Sequence, residues 1–161
     1  MMLAYGRAAV AVVTLAQLEH ENEAAAVDFV DRSGTKDLPK QMRRLFRGRL
    51  EEDRFLQMDA AVTRFKEISE KRHHLIHGEW WFDVFDGGHL VVRKVRRGKI
   101  EHLLDVTPSV LEDWTQSLED IADELDEVWY SVDAVRSKPT DEELIQLQNW
   151  LDQEDADNDS L

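Results

Sequence analysis

Apolar residues recur at intervals of three and four along most of this 161-residue chain, and the interval changes to two only between residues 79 and 106. The longer interval places side chains on one face of an α-helix, whereas alternation is typical of a β-strand with one buried face. Long helices therefore supply most of the fold. We predict a mainly α fold, an antiparallel helical bundle with an inserted three-stranded β-meander.

Two helices are predicted before residue 48. The first extends from about Leu3 to Val30, and the Ser33-Gly34-Thr35 sequence breaks it. Asp37 is a favourable N-cap for the next helix, and Pro39 is tolerated in its first turn. The first helix is apolar on more than one side, which favours contact with a second copy of the chain.

The helix that leads to Gly78 carries the clearest apolar stripe. Gly48 is expected to interrupt the helix before it, because glycine costs about 1 kcal/mol relative to alanine in a helix interior. Gly78 is a natural C-terminal stop. The stripe consists of Phe55, Met58, Val62, Phe65, Ile68, Leu75 and Ile76. We expect this face to be buried in the bundle.

The predicted meander spans about residues 79–106 and is followed by a long helix. Asp86-Gly87-Gly88 and Arg97-Gly98-Lys99 supply its two turns. Thr107 as N-cap and Pro108 as first residue then begin the helix. Its apolar stripe consists of Leu111, Trp114, Leu118, Ile121, Leu125, Val128 and Val132.

The length of the chain fits one domain. We predict a single helical domain over residues 1–151, in which Thr140 and Glu143 form the capping box of a short last helix. Residues 152–161 form an acidic tail that we expect to be disordered.

The absence of cysteine excludes disulfides and thiolate metal sites, and it fits a cytoplasmic protein. The apolar run Ala8–Ala16 is too short to span a bilayer, so no membrane association is expected.

The acidic residues are concentrated in the last third of the chain. The whole sequence has a formal net charge of −14, which by itself argues against a nucleic-acid partner because such binding needs a cationic surface. Divided along the chain, the charge is −3 over residues 1–35, +6 over residues 36–100 and −17 over residues 101–161. The basic middle segment therefore keeps RNA in consideration as a partner.

Three of the six histidines lie within residues 71–80, which read Lys-Arg-His-His-Leu-Ile-His-Gly-Glu-Trp. Four residues separate Arg72 from His77. This spacing resembles the Arg-x4–6-His motif of HEPN domains, and His73 occupies a spacer position that is commonly polar in that family. The following Gly78-Glu79-Trp80 is similar to the His-Gly-x-Trp ending of many small bacterial relatives.

The resemblance implies a HEPN-like helical bundle that pairs as a homodimer and acts as a metal-independent endoribonuclease of toxin or defence type. An antitoxin-like protein partner would accompany such a toxin. In this scheme His77 takes the proton of a ribose 2′-hydroxyl that attacks the adjacent phosphate. Arg72 binds the phosphate and stabilises its developing charge, and His73 orients His77 or shares its proton. No metal or other cofactor is needed, and the substrate must be RNA because DNA lacks the 2′-hydroxyl.

Arg72 and His77 do not share a face of an ideal helix. Five steps along the helix lead from Arg72 to His77, which places them about 140° apart around the helix axis. They converge only where the helix loosens near Gly78, or where a dimer brings two copies together. His73 and His77, at positions i and i+4, do share a face.

Two basic clusters are candidate nucleic-acid-binding surfaces. They consist of Arg43, Arg44 and Arg47 in the first and Arg93, Arg96 and Arg97 in the second. Solvated faces that balance the acidic last third would look the same in sequence.

The motif residues also have purely structural interpretations. Arg72 could form a buried ion pair with Glu19 or Glu23 of the first helix. The histidines could stabilise the C-terminal end of their helix, where cationic side chains are favourable.

Two further alternatives concern function. His73, His77 and Glu70 have the i, i+4 spacing of a metal site but lack a clear third ligand. The alternative to an RNA-cleaving protein is a catalytically silent helical dimer, which acts as a protein-interaction or nucleic-acid-mimic module through its acidic third.

Overall fold

The computed structural model describes residues 1–83, 89–96 and 99–136 of the chain. In order, the elements are α1 Met2–Gln17, α2 Glu23–Phe46, α3 Glu52–His77, β1 Glu79–Asp83, β2 His89–Arg96, β3 Lys99–Val106 and α4 Pro108–Arg136. The predicted mainly α fold with an inserted three-stranded meander is confirmed. No helix in these ranges is both long and apolar enough to cross a membrane.

The chain divides into two compact units, Met1–Tyr130 and Ser131–Leu161. The contacts described below belong to the first unit. Of the second unit, the structure describes only the end of α4. The predicted capping box at Thr140 and Glu143, the last helix, the domain boundary at residue 151 and the acidic tail lie outside the described residues. So do the residues of both predicted turns of the meander, apart from Lys99.

The predicted first helix, Leu3–Val30, is in fact two helices, so that prediction is wrong. α1 ends at Gln17, and α2 begins at Glu23 after a short turn. Asn22 is the N-cap of α2, because its side-chain oxygen accepts a hydrogen bond from the Ala25 amide at 3.0 Å. Apolar spacing alone conceals this break, and the N-cap asparagine was the sequence signal for it.

Two glycines adopt left-handed backbone conformations, where other residues are strained. Gly34, with φ 57° and ψ 160°, kinks α2 at the predicted break, and helical backbone resumes before the buried Pro39. Gly48, with φ 74°, lies in the turn between α2 and α3. Both predicted interruptions are confirmed, although the first bends α2 rather than ending it.

One apolar core joins the helices to the sheet. The buried residues of α3 include Met58, Val62, Phe65, Ile68 and Leu75, and those of α4 include Trp114, Leu118, Ile121, Leu125 and Val128. Ile76, predicted in the same stripe as Leu75, is instead 51% exposed. Consecutive helical residues point about 100° apart, so only one of these two can face the core.

The strands pair antiparallel in the order β1-β2-β3. Val91 and Val92 are both buried, although successive side chains of a strand point to opposite faces. Val92 belongs to the helical core. Val91 therefore lies on the other face of the sheet, with Trp81 as its partner in register.

The predicted start of α4 is confirmed, because the Val110 amide donates a hydrogen bond to Thr107 Oγ1 at 3.3 Å. The acidic surface of α4 is paired with arginines of α1 and α3. The pairs are Arg7 with Glu119, Asp123 and Asp126, Arg64 with Glu124, and Arg54 with Glu127. The hydrogen bond to Asp123 raises the pKa of Arg7 above its ordinary value. Because all these side chains are partly exposed, water screens each pair and limits its contribution to stability.

The junction between α3 and the sheet provides a test of the packing. Gly78→Ala is expected to destabilise the protein, because the added Cβ would collide with the Val92 side chain and the His74 carbonyl. We expect the free energy of unfolding, measured by urea denaturation, to fall by about 1–3 kcal/mol.

Gly6→Ala is the matched control, since nothing lies within 4 Å of an added Cβ at this exposed helical position. It is expected to raise the free energy of unfolding by about 0.5–1 kcal/mol. Equal effects at the two positions would contradict the close approach of Gly78 to β2.

Candidate functional site

The candidate motif occupies the last two turns of α3. The Gly78 amide donates a hydrogen bond to the His74 carbonyl at 2.7 Å, so the backbone stays α-helical to its end at His77. The loosened helix that would have brought Arg72 and His77 together is not present. Within one copy of the chain these two residues therefore remain about 140° apart around α3.

The structure does bring His73 and His77 together. Their ring centroids are 4.6 Å apart, and both side chains are exposed. His74, whose ring centroid is 6.0 Å from that of His73, is less exposed. Two adjacent imidazoles offer nitrogen atoms that can donate and accept protons at the protein surface.

Arg72 lies on an aromatic platform rather than in an ion pair. Its guanidinium carbon is 4.3 Å from the centroid of the Tyr5 ring of α1. The Tyr5 ring in turn stacks on Phe65 at 5.3 Å, and its hydroxyl lies 3.3 Å from Ser69 Oγ. This arrangement is a cation–π contact, in which the aromatic face stabilises the positive charge.

The structural ion pair considered for Arg72 is not formed. Glu19 contacts Arg49 instead, and Glu23 is exposed. Within the described ranges Arg72 pairs with no carboxylate, and its buried Nε has no hydrogen-bond partner. A half-buried guanidinium without an anion is costly in a folded protein, and the contact with the Tyr5 ring offsets part of that cost.

Tyr5 was not a candidate from the sequence. It lies in a different helix, and no motif or local spacing links it to Arg72. The contact arises only from the packing of α1 against α3. A search for aromatic residues near the apolar face of α1 would have been the nearest available signal.

Only one of the three arginines in the first basic cluster forms an ion pair with a described residue. Arg43 Nε donates a hydrogen bond to Asp59 Oδ1 of α3 at 2.5 Å, which joins α2 to α3. Arg44 and Arg47 are exposed, and neither forms an ion pair with a described residue. Arg43 therefore joins two helices rather than balancing the acidic last third, whereas Arg44 and Arg47 remain accessible.

The second basic cluster lies on the sheet. The guanidinium carbon of Arg93 is 5.8 Å from the centroid of the Trp81 ring. The register places these residues on one face, because Trp81 pairs with Val91 two positions from Arg93. The side chain of Arg96 and all of Arg97 lie outside the described part.

Trp80 and Trp81 lie on opposite faces of β1, and both are accessible. They are 49% and 41% exposed, respectively. Trp80 donates its indole N–H to the Leu75 carbonyl at 3.0 Å, which holds it against the end of α3. The face with Trp81 and Arg93 combines an exposed aromatic ring with a cation, as single-stranded nucleic-acid surfaces do.

The geometry of the described residues does not support the alternative metal site at His73, His77 and Glu70. Among the described residues, no three His, Cys, Asp or Glu side chains are grouped so that they could hold an ion. The carboxylate of Glu70, the third residue considered with His73 and His77, lies 3.4 Å from Lys66 Nζ.

Comparisons of the chain with protein-family profiles, with curated proteins and with solved structures give no match. The resemblance to HEPN domains therefore rests on the residues around Arg72 and His77. The geometry described above is the independent evidence on which a function can be proposed.

Tyr5 and Arg72 are expected to be energetically coupled, because the guanidinium lies over the ring. A double-mutant cycle from Tyr5→Leu and Arg72→Met, followed by urea denaturation, should give a coupling energy of about 0.5–1 kcal/mol. Arg54→Met is the control partner, because Arg54 is directed to Gln57 and Glu127 rather than to Tyr5. A Tyr5–Arg72 coupling no larger than that of Tyr5 with Arg54 would contradict the cation–π contact.

Proposed function

We propose that this chain is an RNA-binding protein and a metal-independent endoribonuclease whose site is completed by a second copy. The observation that carries the proposal is the guanidinium of Arg72, held on the Tyr5 ring with no carboxylate partner in the described ranges. It lies in the same two helical turns as the exposed pair His73 and His77. A cation without an anion beside accessible imidazoles suits a phosphodiester substrate.

The direction of the side chains supports a homodimer. One copy cannot direct Arg72 and His77 to the same phosphate, because α3 is regular to its end. A two-fold axis can place Arg72 of one copy beside His77 of the other, and it then creates the same site twice.

Exposed apolar residues of α1 provide surface for such pairing. Leu3 and Val10 are 92% and 64% exposed, and two turns separate them along one helix face.

The proposed reaction uses only groups of the protein and the RNA. A neutral imidazole of His77 removes the proton of the ribose 2′-hydroxyl, whose oxygen attacks the adjacent phosphorus. Arg72 binds the phosphate oxygens and stabilises the charge that they gain. The bond from phosphorus to the 5′-oxygen breaks, and an imidazolium returns a proton to that oxygen. His73, whose ring centroid is 4.6 Å from that of His77, orients that imidazole or shares its proton.

The sheet face with Trp81 and Arg93 supports the RNA-binding part of the proposal. A base can stack on the exposed indole of Trp81, next to the positive charge of Arg93. Arg44 and Arg47 on α2 supply further cationic surface. Arg96 and Arg97 are included in the proposed RNA-binding surface. The proposal also includes the toxin or defence role and the antitoxin-like partner that the resemblance implies.

A protein-interaction module is the second candidate function. The observation that favours it is the exposed apolar surface of α1, at Leu3 and Val10, which a protein partner other than a second copy could cover. The nucleic-acid-mimic form of this alternative is less well supported, because Arg7, Arg54 and Arg64 already pair with the acidic surface of α4.

Cleavage of RNA in excess chelator is the first test. The unaltered protein is expected to cleave, whereas Arg72→Ala and His77→Ala should each lose about 100-fold or more of the rate, because charge stabilisation or proton transfer is lost. His74→Ala is the matched control from the same helical turn and should retain activity. If both motif variants still cleave, the proposed site is wrong, and if only chelator abolishes cleavage, a metal site replaces it.

Subunit complementation tests whether the site is shared between copies. Arg72→Ala and His77→Ala proteins, mixed and allowed to exchange subunits, should recover about a quarter of the original rate, because half of the dimers are mixed and each contains one intact site. Recovery is measured as cleavage of a labelled RNA after mixing. No recovery, with subunit exchange demonstrated, would contradict a site that joins residues of two copies.

A further inference from the structure

A cleft at the kink of α2 lies apart from the α3 site. Its larger recess, of about 440 Å³, is lined by residues that include His20, Phe29 and Gln41. A second recess, of about 330 Å³, shares Phe29 and Gln41 and is bordered by Arg44 and Arg49. We call these two adjoining recesses the α2 cleft. Both volumes lie in the range of small-molecule sites.

The larger recess contains polar groups without partners. His20, in the turn between α1 and α2, has its ring centroid 4.9 Å from that of Phe29. Its Nε2 is buried and has no hydrogen-bond partner in the described ranges. The side-chain amide of Gln41 likewise makes no hydrogen bond to a described residue. Buried polar atoms are almost always paired in folded proteins, so a group other than the described residues, a water or a ligand, pairs with His20 Nε2.

Arg44, a cation at the border of the cleft, also lacks a partner among the described residues. Arg32 Nε lies 2.8 Å from Asp28 Oδ1, and Arg49 contacts the buried carboxylate of Glu19. Arg44 is exposed and forms no ion pair with a residue that the structure describes. The cleft therefore presents an aromatic wall, the Gln41 amide, which makes no hydrogen bond to a described residue, and the Arg44 guanidinium, which forms no ion pair in the described ranges.

We propose that the α2 cleft binds a nucleotide. The flat face of a base would stack on Phe29, since base–aromatic stacking accepts any base. The edge of the base would supply the hydrogen bonds that the Gln41 amide lacks, and Arg44 would bind the phosphate through its planar fork. None of these residues belongs to the α3 site, so this inference does not depend on the proposed endoribonuclease activity.

Isothermal titration calorimetry of the full chain tests this site. The probes are the four ribonucleoside 5′-monophosphates, the matching nucleosides and inorganic phosphate. We expect saturable binding of at least one monophosphate, with inorganic phosphate bound at least tenfold more weakly. Arg44→Ala should weaken monophosphate binding about tenfold and leave nucleoside binding unchanged. Lys40→Ala removes an exposed cation one turn away that does not line the cleft, and it should change neither.

A second variant keeps the test independent of Arg44. Gln41→Ala should weaken binding of nucleoside and monophosphate alike, with folding checked by circular dichroism. Saturation by no monophosphate, or equal losses in Arg44→Ala and Lys40→Ala, would overturn the proposal.

The source of the nucleotide is distinguished by competition with a short 5′-phosphorylated RNA. Displacement of the bound monophosphate at equal stoichiometry identifies the cleft as a site for the end of an RNA strand. The absence of displacement identifies a free nucleotide as the ligand.

The Arg72→Ala variant separates this site from the α3 site. It should bind the monophosphate as the unaltered protein does, whether or not it cleaves RNA. Loss of nucleotide binding in this variant, with the fold intact, would assign the binding to the α3 site and overturn the proposal for the cleft.

Discussion

Burial of the apolar face of α3 determines where the candidate side chains of this protein lie. A helix turns by about 100° per residue, so fixing Phe65 and Ile68 in the core also fixes the direction of every later residue. Arg72 then reaches the edge of the core, where the Tyr5 ring receives its guanidinium. His73 and His77 emerge together at the surface. The regular helix therefore keeps Arg72 on a different face from His73 and His77, and for this reason the proposed endoribonuclease site joins residues of two copies.

Local chemistry made much of this fold predictable. The change of apolar interval at residue 79, the glycine breaks and the threonine N-cap of α4 each depend on a few neighbouring residues. The break between α1 and α2 was missed because the apolar interval continues across it, while a single asparagine side chain ends the regular backbone. Ile76 was misplaced because a stripe defined by spacing cannot choose between two consecutive apolar residues.

The site was predictable only as far as one helix defines it. Spacing along α3 predicted that His73 and His77 share a face and that Arg72 and His77 do not. The partner of Arg72 was not predictable, because the Tyr5 ring reaches it through the packing of two helices. An acidic partner was one of the alternatives considered for Arg72, but the candidate Glu19 contacts Arg49 instead. The net charge of a sequence segment also overstates the charge of its surface in the fold. Acids of α4 lie beside arginines from distant segments, so part of their negative charge is balanced.

The junction at Gly78 limits the distance between His77 and Trp81. A single residue separates the last residue of α3 from the first residue of β1. Trp81 lies four positions after His77, so their Cα atoms can be at most about 14 Å apart. Since Gly78 is closely packed against Val92, this span has little freedom to change. In the proposed endoribonuclease, a fixed number of nucleotides would then separate the base stacked on Trp81 from the phosphodiester bond cleaved at His77. The cleavage products would therefore share a defined end.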